Sequence, residues 1–90
     1  MKILQTPTFN KQVKKLHKNQ KSDLDEAVEC VVNNPVIGDQ KKGDLAGVLV
    51  YKFKMVGQLT LLAYQFDDNA NQLTLLVLGS HENFYRDLKK

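Results

Sequence analysis

With 90 residues the chain has room for one domain with one thin core, which excludes a second catalytic domain and any deeply enclosed substrate site. Hydrophobic residues make up 42% and charged residues 26%, with 5 Gly and 2 Pro, which excludes disordered and low-complexity classes, and the single Cys30 excludes an intrachain disulfide or a cysteine-rich zinc site. The net charge of +3 hides an uneven distribution: residues 1–21 hold six Lys and no acid, residues 22–40 hold five acids and no base, and residues 41–54 are basic again.

Ile3 and Leu4 ahead of Thr6-Pro7 predict a brief opening strand, after which Pro favours the first turn of a helix beginning near Thr6 or Thr8. Phe9, Val13 and Leu16 recur at helical spacing and form an apolar stripe, with Lys11, Lys14, Lys15 and Lys18 mostly around the other side. Asn19-Gln20-Lys21 reads as a break, and Ser22 with Asp25 reads as a capping box for a second helix. Leu24, Ala27, Val28, Val31 and Val32 make its apolar stripe, and Asn33-Asn34-Pro35 ends it. The two helices form a hairpin, with His17 expected to cap the end of the first. Cys30 is expected to pack as a small apolar residue.

Residues 35–47 read as a loop, with Gly38, Gly43 and Gly47 spaced among charged residues. From Val48 the apolar period changes to two. Leu49, Tyr51, Phe53 and Met55 share one parity; Val48, Val50, Lys52 and Lys54 share the other, so one face is apolar and the opposite face is basic at one end. Val56-Gly57-Gln58 is a tight connection to a strand over 59–66, in which Tyr64 and Phe66 are expected in the core. Residues 67–71 turn into a strand over 72–78 that is apolar on both parities, as a strand covered on both sides would be. Ser80 can cap a final helix over 81–89. The resulting order, β-αα-βββ-α, is an α+β domain with a mainly antiparallel sheet and a helical hairpin packed on one face.

Two constellations carry chemistry. Lys52 and Lys54 place two ammonium groups about 7 Å apart along one strand face, a spacing similar to that of successive phosphates on a nucleic-acid strand. The same lysines also suit a strand guarded against edge pairing. His81, Phe84, Tyr85 and Leu88 fall on one side of the final helix, so an imidazole that titrates near neutral pH stands beside a phenol. The same spacing also suits ordinary packing. No phosphate-binding glycine loop, dinucleotide motif or metal-ligand spacing appears, so no metal or other cofactor is expected. With no apolar run of membrane-spanning length and no signal-peptide core, a cytoplasmic protein without a membrane partner is expected.

The runs Val50-Tyr51-Lys52-Phe53-Lys54-Met55, Ala63-Tyr64-Gln65-Phe66-Asp67 and Val77-Leu78-Gly79-Ser80-His81-Glu82-Asn83-Phe84-Tyr85, in this order of elements, resemble the RelE/ParE superfamily of type II toxin–antitoxin toxins. The resemblance covers nearly the whole chain and implies a compact RelE-like, microbial-RNase-like fold with substrate on the sheet face opposite the helices. In the RelE branch it implies cleavage of mRNA in the ribosomal A site by attack of a ribose 2′-OH on the adjacent phosphate, without metal. In the ParE branch it implies binding to DNA gyrase; a DNA-cleaving nuclease is a more remote alternative. Lys52 and Lys54 match the paired strand lysines of RelE-type nucleases, and Gly79-Ser80-His81 followed by Tyr85 resembles the ending of YafQ-type toxins, which implies a catalytic His81 with Tyr85 in the site. Leu61 stands where RelE has an arginine. Charge on the reacting phosphate would therefore fall to Lys52 and Lys54, with Lys41, Lys42, Arg86, Lys89 and Lys90 as further substrate-binding candidates. The partner implied in every case is a cognate antitoxin, a small acidic polypeptide able to cover the basic surface.

Overall fold

A computed structural model of the protein describes residues 1–80. The chain runs β1 (Lys2–Gln5), α1 (Pro7–Lys14), α2 (Lys18–Asn33), β2 (Asp39–Gln40), a single 3-10 turn (Gly43–Leu45), β3 (Leu49–Met55), β4 (Gln58–Asp67) and β5 (Gln72–Gly79). The five strands form one sheet in the order β1-β5-β4-β3-β2. β1 pairs with β5 in parallel, and all other neighbours are antiparallel. The sheet meander and the helical hairpin agree with the sequence reading; the expected final helix over 81–89 lies outside the described residues.

The first turn of α1 is built from both ends of the chain. Thr6 is the N-cap, its hydroxyl oxygen accepting from the Phe9 N–H at 3.1 Å and donating to the Leu76 carbonyl at 2.6 Å. Pro7 follows at the first helical position, where its missing N–H costs nothing. The Gln12 side-chain amide then accepts from the Leu78 N–H at 2.7 Å and donates to the Leu78 carbonyl. It thereby continues the edge of β5 beyond the end of β1, satisfying backbone groups that a longer first strand would otherwise hold.

The helical break lies earlier than the sequence reading placed it. α2 starts at Lys18, so Asn19-Gln20-Lys21 and Ser22 are helical, and His17 is the N-cap of the second helix rather than a cap on the end of the first. The cause is local: the Gln20 side-chain oxygen accepts from the His17 N–H at 2.8 Å, one half of a capping box in a different register from Ser22 and Asp25. The loop over 35–47 likewise contains the two-residue β2, because Asp39 and Gln40 pair with Val50 and Leu49.

Two apolar clusters sandwich the sheet. Under the helices lie Phe9, Leu24 and Val31 with Leu49, Leu62, Tyr64, Leu73, Leu75 and Leu78, with Tyr51, Phe53, Met55 and Phe66 packed against them. On the opposite face, which is helix-free among the described residues, lie Val48, Val50, Leu61, Ala63 and Val77, with Leu45 and Leu76 against them. The two-sided apolar pattern of β5 has a further cause: Ala63 pairs with Val77 and Tyr64 with Leu75, so Leu76 is the extra residue of a β-bulge. The bulge shifts the strand's alternation by one, sending Leu73, Leu75 and Leu78 to the helix side and Val77 to the other.

Candidate nucleic-acid interface

β3 sends its two side-chain parities into different surroundings. Tyr51, Phe53 and Met55 are half-buried against the helix-side cluster, with the Tyr51 and Phe53 rings stacked at 6.1 Å, whereas Lys52 and Lys54 are exposed on the helix-free face. The residues directly across on β4 are Leu61 beside Lys52 and Leu59 beside Lys54. No ion pair occupies either ammonium group among the described residues, and no carboxylate stands opposite them in the ladder.

The outer edge of β3 is open beside these lysines. Met55 and Gln58 close a two-residue hairpin through Val56 and Gly57, so they exchange both backbone hydrogen bonds; alternation then turns the backbone groups of Lys52 and Lys54 away from β4. β2 pairs only with Leu49 and Val50, and among the described residues no strand covers the edge beyond. Outward N–H groups at Lys52 and Lys54 can add donors for an anion, and the charged side chains also guard the edge against a second strand.

The centre of the same face is apolar and closed. Leu61, at the position where the RelE resemblance expects an arginine, is fully buried among Val48, Val50, Ala63 and Val77. The far end is polar and acidic, a shallow recess of about 390 Å³ lined by Gln65, Asp67, Asp68, Gln72 and Thr74 together with Gly47 and Phe66. The helix-free face thus runs from cationic at Lys52 and Lys54 to anionic at Asp67 and Asp68.

Of the other sequence candidates, Lys41 and Lys42 lie before the 3-10 turn, and the Lys41 N–H donates to the Val48 carbonyl at 2.9 Å. That bond sets their backbone beside the start of β3, about 13 Å along the strand from Lys52, rather than beside the lysine pair. His81, Tyr85, Arg86, Lys89 and Lys90 lie outside the described residues. The described chain leaves the sheet at Gly79, which shares a cross-strand row with Leu61 and Lys52. Among the described residues no group of three or more His, Cys, Asp or Glu side chains could hold a metal ion, and no helix is long and apolar enough to cross a membrane.

Cys30 is exposed rather than packed as expected: it sits at the flank of the Leu24, Ala27 and Val31 stripe, in a recess with Asp23, Glu26, Tyr51, Phe53 and Lys54. The Cys30 side chain, as a hydrogen-bonding neighbour, and then burial raise the Tyr51 hydroxyl above its ordinary value of 10.0. The sequence reading placed Tyr64 in the core but did not find its polar role. Its ring is fully buried, and its hydroxyl accepts from the Gly38 N–H at 3.0 Å while donating to the Pro35 carbonyl at 2.8 Å, fastening the segment that leads into Lys41 and Lys42. A Cβ on Gly38 would stand 2.8 Å from that oxygen, so a glycine is required by close approach. Burial raises the Tyr64 hydroxyl above 10.0, and the Gly38 bond partly offsets it. The available signal was a tyrosine at a core parity paired with a glycine in the preceding loop.

A family model described as the ParE-like toxin of type II bacterial toxin-antitoxin system matches residues 3–89. The fold is similar to a chain of the RelBE2 toxin-antitoxin complex from Mycobacterium tuberculosis, with a TM-score of 0.75 at 20% identity, covering 89% of this chain and 96% of that one. It is similar to a chain of the intact E. coli RelBE toxin-antitoxin complex, with a TM-score of 0.71 at 19% identity over 88% and 94% of the two chains. The YoeB/ParE toxin from Agrobacterium tumefaciens aligns with a TM-score of 0.72 at 15% identity over 90% and 99%. At these identities the structural likeness is one of fold. No curated protein matches the sequence significantly.

Proposed function

The chain belongs to the ParE-like toxins of type II bacterial toxin–antitoxin systems, and from that membership we propose that it is a ribosome-dependent endoribonuclease that cuts mRNA and so stops translation and growth. The observation that carries this reading is the exposed Lys52 and Lys54 pair on the helix-free face, about 7 Å apart along β3 and without a carboxylate opposite. In the reaction the ribose 2′-oxygen attacks the adjacent phosphorus, and the bond from phosphorus to the 5′-oxygen breaks. The products are a 2′,3′-cyclic phosphate and a free 5′-hydroxyl. Lys52 and Lys54 hold the phosphate and offset the negative charge that grows on its oxygens, a role in which fixed cations act where charge develops. His81 moves the proton, taking it from the 2′-hydroxyl or giving it to the departing 5′-oxygen, and Tyr85 positions the nucleotide. Support for their joining the lysines comes from Gly79, which leaves the sheet in the row of Lys52, two strands and about 10 Å across. Lys41, Lys42, Arg86, Lys89 and Lys90 bind flanking phosphates, and the partner that restrains the toxin is a small acidic antitoxin.

A second reading rests on Leu61. With that position buried and apolar, the centre of the face lacks a bidentate cation, as it would in a gyrase-binding toxin that cuts nothing. Induction in cells separates the two. Under the nuclease reading, mRNA is cut at defined codons, and Lys54→Gln or His81→Ala abolishes both the cuts and the growth arrest. Intact mRNA with cleaved DNA–gyrase complexes would establish the second reading instead.

A further inference from the structure

Leu59 is half exposed, at 50%, and belongs to neither apolar cluster, yet it stands directly across the ladder from Lys54 on the helix-free face. Two positions further along β4 on the same face, Leu61 is fully buried. The surface therefore carries two parallel rows about 4.8 Å apart, a cationic one on β3 and an apolar one on β4, and only at the Lys54–Leu59 level does the apolar row reach solvent. A single nucleic-acid strand has the same two-row build, with phosphates on one side and bases on the other.

We propose that Leu59 is the contact for one base, that of the nucleotide whose phosphate Lys54 holds. The inference rests on the ribonuclease reading and deepens it by assigning register. The backbone lies along β3 and the bases fall across β4, so the nucleotide at Lys54 meets an apolar ledge while the nucleotide at Lys52 meets only a closed surface. Charge complementarity selects the occupant, since an apolar ledge beside two exposed lysines that form no ion pair among the described residues fits an anionic ligand with an apolar face better than an apolar peptide. Contact by area and dispersion, without a hydrogen-bonding group, grips any base and holds a purine better than a pyrimidine through its larger ring.

The test uses a short single-stranded RNA with 2′-O-methyl riboses, which lacks the attacking hydroxyl, together with a set of the same oligonucleotides carrying one abasic position each. Affinities are measured for the wild type, Leu59→Ala and Lys54→Gln across a range of salt. Leu59→Ala is expected to weaken binding of the intact RNA about five-fold, with its salt slope unchanged. On the one oligonucleotide whose missing base is the contacted one, Leu59→Ala should change nothing. Lys54→Gln is expected to lower the salt slope by about one, whichever base is missing. Equal binding of intact RNA by Leu59→Ala and wild type, with the Lys54→Gln effect present, overturns the Leu59 assignment and leaves the ribonuclease reading standing. The same loss on every abasic RNA also overturns it. Absence of lysine-dependent RNA binding by the wild type overturns the register along Lys54 and Leu59, while the ribonuclease reading stands or falls separately on the mRNA cuts in induced cells. A half-exposed side chain can be shortened without loss of fold, and unchanged unfolding of Leu59→Ala in urea verifies this.

Discussion

On one side of β3, Leu49, Tyr51, Phe53 and Met55 pack under two helices, while on the other side Lys52 and Lys54 stand in solvent. Beyond Val50, which is buried on the second face, this seven-residue strand therefore serves two purposes separated by parity: one side packs under the helices and the other presents charge. In a domain this thin the two cannot be placed in different layers, so residues that matter for stability and residues proposed for function alternate along the chain. Changes to the two faces should be separable even between sequence neighbours.

The largest effect is expected on the helix side. Phe9 is 2% exposed and anchors α1 to the cluster beneath it, so Phe9→Ala should cost about 3–5 kcal/mol through lost burial and a cavity that collapses only in part. Urea unfolding measures it. Lys52→Gln on the other face should remain within about 0.5 kcal/mol of wild type in the same assay. A large loss of stability in Lys52→Gln would break the division between the faces.

An intermediate effect is expected where the helix-side core reaches the loop. Tyr64→Phe keeps the ring and removes both hydrogen bonds of the hydroxyl, leaving the Gly38 N–H and the Pro35 carbonyl without that partner, at about 1–3 kcal/mol. A pH signature accompanies it. Burial raises the folded value of Tyr64 above 10.0, so above about pH 10 the unfolded chain releases this proton first and stability falls as pH rises. Below that pH the contribution is fully present. Lysine deprotonation affects wild type and Tyr64→Phe alike, so the difference between their unfolding free energies should shrink as the pH rises from about 10 to 11. A difference that stays constant across that range would show that the hydroxyl titrates as freely in the fold as in the unfolded chain.

Period-two alternation over 48–55 was enough to separate the two faces of β3, because one parity meets the helix-side cluster throughout while the other passes from the buried Val48 and Val50 to the exposed Lys52 and Lys54. The same logic placed Tyr64 and Phe66 in the core. It faltered where a single bond sets the register: Gln20 captures the His17 N–H and starts α2 ahead of Ser22, and the Leu76 bulge shifts the alternation in β5. Neither a side-chain cap chosen among several polar residues nor an inserted strand residue leaves a periodic trace. The site was legible to the extent that it is made of strand parity. The exposure of Lys52 and Lys54 on one face follows directly from alternation, whereas the contact proposed for Leu59 depends on knowing which residue lies across the ladder and that its neighbour Leu61 is sealed. The separation of Lys41 and Lys42 from the lysine pair follows from the bond of the Lys41 N–H to the Val48 carbonyl, which closes the loop between them and which no periodic pattern encodes.

The smallest expected effect has the opposite sign and lies at the tip that joins the two lysine-bearing and leucine-bearing strands. Val56 takes a φ of 50° in the two-residue turn, a left-handed conformation in which a β-branched side chain crowds its own backbone. Gly57 follows at 79°, as this turn requires, so only the first turn position carries the unfavourable residue. Among the described residues no apolar cluster holds the Val56 side chain: it is 49% exposed, and the residue's backbone N–H donates to an Asp23 carboxylate oxygen at 2.7 Å. Val56→Asn keeps that N–H and supplies a residue that tolerates the left-handed region. It should stabilise the protein by about 1 kcal/mol, seen as a rise of about 0.5 M in the urea midpoint. A fall in the midpoint would mean that the exposed valine makes an intramolecular contribution and that the hairpin tip belongs with the packed face. A rise would place the tip with Lys52, Lys54 and Leu59, exposed positions at which residue choice is not set by the stability of the fold.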